Sequence, residues 1–497
     1  MNWTHEQYPV ITSLARLIRV QAFAGTGKTS TLVGYAQHHY EEKILYIAYN
    51  TSVADAAKRR FPDNVTCTTS HSLAFAPMGS RYQHKRADNL RLTDVARAMR
   101  TRNWEMVKDV VGTINAFLCS TDTEINAVHF PRFKGPRNSR QQAQVNEVVI
   151  HASRMWQKMI DVNDSELPMT HDGYLKLWLL SEPNLTRKFG TIMLDEGQDT
   201  NKVMTAFVRA QYLLGCKVLI VGDRHQQLYR FRGAENALEE PWLREAEDHF
   251  LTQSWRFGYG AAHVANAILA LKGEQRTLQG FGPQTKIKSS LPDGLEHRTY
   301  LCRTLAGVID RALSCLPNPA DKSNSRPAEK LYWVGGIKGY QLQSILDLYW
   351  FSSKQLDLIK GYQLTKDYAD FATYREIADA TSDNEMMRSI KILDSYGSSL
   401  PELIKSLEAS TVVDELEATV TLSTGHKSKG LEWPAVQLGD DFTFDPLAED
   451  AKKDPAKFDD EVNLLYVMAT RGMEYIALNP TVISIMQHAK DLRERRA

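Results

Sequence analysis

One stretch, QAFAGTGKTSTL from Gln21 to Leu32, limits what this chain can fold into more than any other. It follows an apolar run, Leu14 to Val20, that reads as a buried strand. It leads into TSTLVGYAQHHYEE, which reads as a helix. Strand, glycine-rich turn and helix in that order are the setting of a phosphate-binding loop. Gly25 and Gly27 let the backbone turn tightly and aim N–H groups at phosphate oxygens. The helix that follows adds its positive N-terminal end. The cradle would be Ala24, Gly25, Thr26, Gly27, Lys28, Thr29 and Ser30. Lys28 is placed to reach the β- and γ-phosphates, and the Thr29 hydroxyl to hold Mg²⁺. Ala22 stands where the G-x-x-x-x-G-K-[ST] pattern has its first glycine.

At 497 residues the chain is too long for one core, and three or four domains are expected. Its formal net charge is zero, so any nucleic-acid binding must use a local groove rather than a global field. Five cysteines (Cys67, Cys119, Cys216, Cys302, Cys315) without CxxC spacing suggest neither a disulfide framework nor a zinc site, which fits a reducing compartment. No apolar run approaches the roughly 18 residues of a membrane helix. MNWTHEQYPV lacks the charged and apolar regions of a signal peptide. The expected location is the cytoplasm of a bacterial or phage-encoded protein, or the nucleus of a eukaryotic one.

Along the chain, Gln7 precedes the first strand. Its amide suits either an adenine edge or a solvated helix face. EEKILYIAYN, 41–50, reads as a second strand ending at Tyr49 and Asn50, and VADAAKRRF as a helix. NVTCTTSHSLAF, 64–75, reads as a third strand ending in Thr69, Ser70, His71 and Ser72. Strands alternating with helices imply a parallel sheet whose carboxyl ends carry the site. From 78 to 185 the pattern is mostly helical. Residues 81–140 hold 12 Lys/Arg against 6 Asp/Glu, which suits either a solvated face or contact with a phosphate backbone.

TIMLDEGQDT, 191–200, reads as an apolar strand ending in two carboxylates. Asp195 is placed to hold Mg²⁺ through its water shell, and Glu196 to orient and deprotonate an attacking water. KVLIVGDRHQQLYRFRGA, 217–234, repeats the design, with Gln226 placed to sense a γ-phosphate or that water. Tyr229 and Phe231 alternate with Arg230 and Arg232. Aromatics interleaved with arginines suit base stacking, and core packing is the other use of such rings. Further on come Trp255 and Arg256 before a helix, a strand beginning at 298–305, a Gly pair in LYWVGGIKGYQ, and a mostly helical 342–415. VTLSTGHKSKGLEWPAVQL, 420–438, reads as strand, loop, strand. Residues 440–460 read as an acidic solvated loop, and 461–478 as a helix bearing Thr470 and Arg471 followed by a final strand.

Taken in order, Gln7, AGTGKT, AYN, TTSHS, DEGQD, GDRHQQLYRFRGA, SWRFG, HKSKGLEW and NLLYVMATRG resemble UvrD/Rep-type superfamily 1 DNA helicases over nearly the whole chain. THDGYLKLW, 170–178, and VGGIKGY, 334–340, bring the resemblance nearest to the F-box DNA helicase branch. Only six residues precede Gln7, so an F-box is not expected here; bacterial or phage relatives would have such a helicase core.

The resemblance implies an α/β fold of two RecA-like parallel-sheet domains with mostly helical insertions, a P-loop NTPase helicase core. Lobe 1A would be 1–77 and 186–255, with insertion 1B at 78–185. Lobe 2A would be 256–335 and 416–497, with a short insertion 2B at 336–415. It implies ATP and Mg²⁺ as cofactors, with Thr29 and Asp195 holding the metal. Lys28, Asp195, Glu196 and Gln226 would serve hydrolysis, with Arg256 and Arg471 as arginine fingers. Gln7, Trp255 and Glu432 would bind the base and ribose. Tyr49, Asn50, His71, Tyr229, Phe231, Arg232 and His426 would line a single-strand channel. The expected activity is ATP-dependent 3′→5′ translocation and unwinding of duplex DNA in repair, recombination or replication by a monomer. The alternatives are a translocase that strips proteins from DNA and a nucleotide switch that regulates a partner such as a nuclease. A nuclease or recombinase partner is not readable from the residues. Gly425 and Gly472 stand where the family usually carries an apolar residue and an alanine.

Overall fold

The computed structural model describes residues 3–133, 135–230, 233–316, 329–381 and 383–494, and of residues 362, 363 and 384 the backbone alone. Two compact units divide the chain between Leu251 and Thr252, and the loop segment Phe23–Thr26 groups with the second.

The first unit is built on six strands: β1 (Leu17–Ala22), β2 (Ile44–Ala48), β3 (Val65–Thr69), β4 (Thr191–Leu194), β5 (Lys217–Gly222) and β6 (Glu247–Leu251). Their order is β6-β1-β5-β4-β2-β3, and every pairing is parallel. ILYIA of β2 and TIML of β4 are buried at every position, as strands covered on both faces must be. Successive side chains of a strand point to opposite faces. Accordingly Ile44, Tyr46 and Ala48 join one apolar cluster with Leu32 and Tyr35, while Leu45 and Ile47 join another with Trp178 and Phe207.

Helices α1 (Gln7–Thr12), α2 (Lys28–His38), α3 (Thr51–Lys58), α4 (Ser70–Phe75) and α9 (Lys202–Leu213) belong to this sheet's surroundings. Between α4 and β4 run α5 (Leu92–Met99), α6 (Trp104–Leu118), α7 (Ser139–Ile160) and α8 (His171–Leu180). Val107, Val110, Ile114 and Phe117 of α6 meet Val145, Val148, Ala152 and Trp156 of α7 in their own core. Side-chain caps start these helices: Asn103 accepts from Met106 N–H, and Asn138 and Gln141 form a reciprocal capping box.

The second unit repeats the plan. Its strands are β7 (Lys286–Lys288), β8 (Arg298–Cys302), β9 (Leu331–Trp333), β10 (Val420–Thr424), β11 (Trp433–Leu438) and β12 (Gly472–Ala477). They lie in the order β7-β12-β11-β8-β10-β9, again all parallel. Helices α10 (Tyr259–Leu271), α11 (Leu305–Ser314), α17 (Pro455–Ala469) and α18 (Pro480–Glu494) accompany the strands. Between β9 and β10 run α12 (Leu342–Ser352), α13 (Tyr362–Asp367), α14 (Phe371–Thr381), α15 (Asn384–Tyr396) and α16 (Leu400–Ala409). Both units are therefore α/β with parallel sheets, as the sequence implies.

Four local readings are corrected. The first strand starts at Leu17 rather than Leu14, whose side chain is 77% exposed. The third strand stops at Thr69, because the Thr69 hydroxyl accepts from Ser72 N–H at 3.1 Å and caps α4; Ser70, His71 and Ser72 are helical. The acidic loop ends early. Asp454 caps α17, Pro455 occupies its first turn, and Phe458 is buried. α17 stops at Ala469, so Thr470 and Arg471 link it to β12.

Much of the basic excess in 81–140 is structural. Arg132 pairs with Glu105 and Asp109, Arg97 with Asp94, Lys85 donates to the carbonyls of Lys158 and Asp161, and Arg137 to those of Ala127 and Phe133. Asp109 is buried, and burial pushes its carboxyl above the usual range despite the Arg132 guanidinium. Arg132→Met should leave that carboxylate without its charge partner. A loss of roughly 2–4 kcal/mol in stability is expected by chemical denaturation, and an unchanged midpoint would contradict this role for the pair.

Candidate nucleotide site and the adjoining cleft

β1, β5 and β4 are neighbours in the first sheet, so the loops leaving their carboxyl ends converge. β1 delivers the glycine-rich loop, β4 delivers Asp195 and Glu196, and β5 delivers Asp223 and Gln226. Gly25 and Gly27 take φ of +73° and +82°, the left-handed region that glycine adopts without strain. Gly27 then starts α2, with no side chain capping its first turn among the described residues. Thr26 is buried, and its hydroxyl donates to the Phe23 carbonyl at 2.8 Å. Gln7 is not on a solvated face. It is buried, and a Cβ on Gly27 would come within 2.8 Å of its amide nitrogen. A methyl group there would press on the Gln7 amide, and the positive φ of Gly27 would strain it further.

The Lys28 ammonium lies 3.9 Å from Glu196 Oε1. Asp195 is almost wholly buried, and both its oxygens accept: Oδ1 from Glu196 N–H at 2.8 Å, Oδ2 from the Tyr46 hydroxyl at 2.6 Å. Burial and the neighbouring Glu196 push the Asp195 carboxyl up, while Tyr46 and Lys28 oppose the shift. Glu196 itself has φ of +52°, a sparsely populated conformation for a residue with a side chain. Gln198, fully buried, donates to Glu196 Oε2 at 2.5 Å and accepts from Asp223 N–H at 3.0 Å. Gln226 donates to Asp223 Oδ2 at 2.7 Å. One hydrogen-bonded chain thus runs from Glu196 through Gln198 and Asp223 to Gln226. Glycines, a lysine, a hydroxyl on Thr29, the buried Asp195 and the partly exposed Glu196 form a donor set that fits a nucleotide with Mg²⁺. An uncompensated buried carboxylate is costly, and a cation answers that cost.

In the second unit, Trp255 is 52% exposed and stacks on Phe281 with ring centroids 5.5 Å apart. Arg256 donates to Glu432 Oε2 at 2.5 Å and to the Thr470 carbonyl at 3.3 Å. Arg471 is buried and donates to the carbonyls of Val467 and Leu431. Gly425 lies close against α17: a Cβ there would come within 2.5 Å of Met468 Sδ and 2.7 Å of Leu464 Cδ1, so those side chains would have to shift. Gly472 is likewise crowded by Ile476.

At the carboxyl ends of β2 and β3 the first unit opens a cleft of about 1040 Å³. Tyr49, Asn50 and His71 line it together with Phe75, Arg86 and Asp172. Tyr229 stacks on Tyr49 at 4.9 Å, and Asp199 accepts from the backbone N–H groups of Leu228 and Tyr229. His71 pairs with Asp172 at 2.9 Å. Asn50 also caps α3 through Val53 N–H. His426, half-buried, belongs to the second unit. Phe231 and Arg232 lie outside the described residues. Sequence reasoning missed Tyr46, Gln198, Arg86 and Asp172. Gln198 stands inside the quoted DEGQD, and a polar residue there was the available signal.

A glycine-rich loop opening a helix, with two carboxylates at the end of a second parallel strand of the same sheet, defines the P-loop nucleotide-binding class. Within that class, residues 3–240 match the UvrD/REP helicase N-terminal domain. The first half of the chain therefore carries the N-terminal domain of the UvrD/REP helicases. It is 32% identical to F-box DNA helicase 1 of Gallus gallus over 96% of its own length and 49% of that protein's. It is 29% identical to F-box DNA helicase protein 1 of Schizosaccharomyces pombe over 94% of its length and 56% of that protein's. A 101-residue stretch is 34% identical to DNA helicase II of Escherichia coli strain K12, covering 19% of this chain and 14% of that one. The chain spans about half the length of the F-box relatives it matches. Among the described residues no helix is long and apolar enough to cross a membrane.

Proposed function

We propose that the protein is a DNA-stimulated ATPase that moves 3′→5′ along single-stranded DNA and unwinds duplex DNA during repair or recombination. The convergence of Lys28 with Asp195 and Glu196, from the carboxyl ends of β1 and β4 in one parallel sheet, is the observation that carries this reading, and the helicase relatives support it. Lys28 and the N–H groups at the start of α2 would hold the phosphates. Thr29 and Asp195 would hold Mg²⁺, which when bound neutralises charge on the β- and γ-phosphate oxygens. Glu196 would take the proton of the attacking water, oriented for it by Gln198. Gln226 would report the presence of the γ-phosphate to Asp223. Arg256 and Arg471 would stabilise charge on the transferring phosphoryl group, Trp255 would stack on the base, and Gln7 and Glu432 would meet its edge and the ribose.

The single strand would lie in the cleft of the first unit, against Tyr49, Tyr229 and His71. Tyr229→Ala should weaken single-strand affinity roughly tenfold, since stacking is worth about 1–3 kcal/mol per base. DNA-free turnover should stay close to wild type; an equal fall in both would make Tyr229 a packing residue only. Strand displacement tests the activity itself. Duplexes with a 3′ single-stranded overhang should be unwound with ATP and those with a 5′ overhang should not. Translocation without displacement on either substrate would overturn the unwinding reading.

A further inference from the structure

The core of the first unit holds a polar group that packing does not explain. Tyr46 is fully buried in β2, among Ile18, Val20, Leu32, Met193 and Leu219, with its ring 4.8 Å from that of Phe61. A phenylalanine would fill the same space. A hydroxyl placed among apolar side chains is costly unless it is hydrogen-bonded. Among the described residues the Tyr46 hydroxyl is seen donating to Asp195 Oδ2, at 2.6 Å.

That bond exists because of register. β2 pairs with β4 with Tyr46 opposite Met193, and Asp195 follows directly as β4 ends. The Asp195 carboxylate is thereby held at both oxygens, by the Glu196 N–H on one and the phenol on the other. Each oxygen keeps further acceptor capacity. The phenol supplies a donor without adding a net charge beside the Asp195–Glu196 pair. Groups that hydrogen-bond a metal-binding carboxylate fix its orientation and tune the metal's affinity.

We propose that Tyr46 is a positioning residue for Mg²⁺: its hydroxyl holds the Asp195 carboxylate in one orientation and so sets how tightly the site takes Mg²⁺ with nucleotide. The inference rests on the nucleotide-site reading above. It assigns to a strand residue, outside every loop of the site, control over the metal requirement.

The test is equilibrium binding of a fluorescent ATP analogue to the full chain as Mg²⁺ is titrated, so that no turnover is needed. Tyr46→Phe should raise the Mg²⁺ concentration at half-saturation about tenfold and leave the analogue's affinity in EDTA unchanged. Phe61→Leu loosens the same ring packing but keeps the phenol. It should lower the melting temperature and leave the Mg²⁺ midpoint where it is. An unchanged midpoint in Tyr46→Phe, or an equal shift in Phe61→Leu, would overturn the proposal while leaving the site reading standing. Wild-type binding that does not depend on Mg²⁺ at all would remove the site reading and this inference with it.

Discussion

Lys28→Ala should abolish ATP turnover, a fall of at least about 10²–10³-fold, with the fold intact. Lys28 opens α2 directly after Gly27, and its ammonium lies 3.9 Å from Glu196. Alanine is a good helix former, so α2 should persist. What would be lost is the charge beside Glu196 that the proposed function assigns to the phosphates. Steady-state hydrolysis, read beside thermal unfolding, checks both halves. Wild-type turnover in a well-folded variant would remove the loop from the catalytic site.

Arg256→Ala carries the second large effect. An arginine that stabilises the charge of a transferring phosphoryl group is worth on the order of 10³–10⁵ in rate. Arg256 is the better test of the two arginines. Its main partner, Glu432, has a half-exposed side chain, so removing Arg256 leaves that carboxylate in contact with water rather than buried and unpaired. Its melting temperature should therefore stay near that of wild type. Arg471 is buried and bonded to two backbone carbonyls, so its removal would mix catalysis with stability. With Arg256→Ala, nucleotide binding should persist while turnover collapses. Comparable losses in binding and turnover would instead make Arg256 a scaffold for Glu432.

The parts of the candidate site whose chemistry is local are legible in the sequence. The loop from Ala24 to Ser30 announces itself because glycines, Lys28 and Thr29 must be contiguous to cradle phosphate. Asp195 and Glu196 announce themselves because two acids close an apolar run. What escaped notice depends on pairing across strands. Tyr46 reads as one more large residue in ILYIA, and only the β2–β4 register places its hydroxyl on Asp195. Gln7 suited a solvated face until the chain folded back against Gly27. The parallel-sheet class followed from alternating strands and helices, but the ends of elements did not. Thr69 and Asp454 cap helices in places where the apolar pattern suggested a strand and the acidic composition a loop. The arginines and lysines of 81–140 show the same limit, since a charge count does not reveal that Arg132 and Lys85 are already committed within the fold.

The most direct test is the rate of ATP hydrolysis by the wild-type protein with and without single-stranded DNA. A DNA-driven motor predicts a strong rise in turnover when single-stranded DNA is added. Turnover that is the same in its presence and absence would contradict that reading and leave the nucleotide site as a switch.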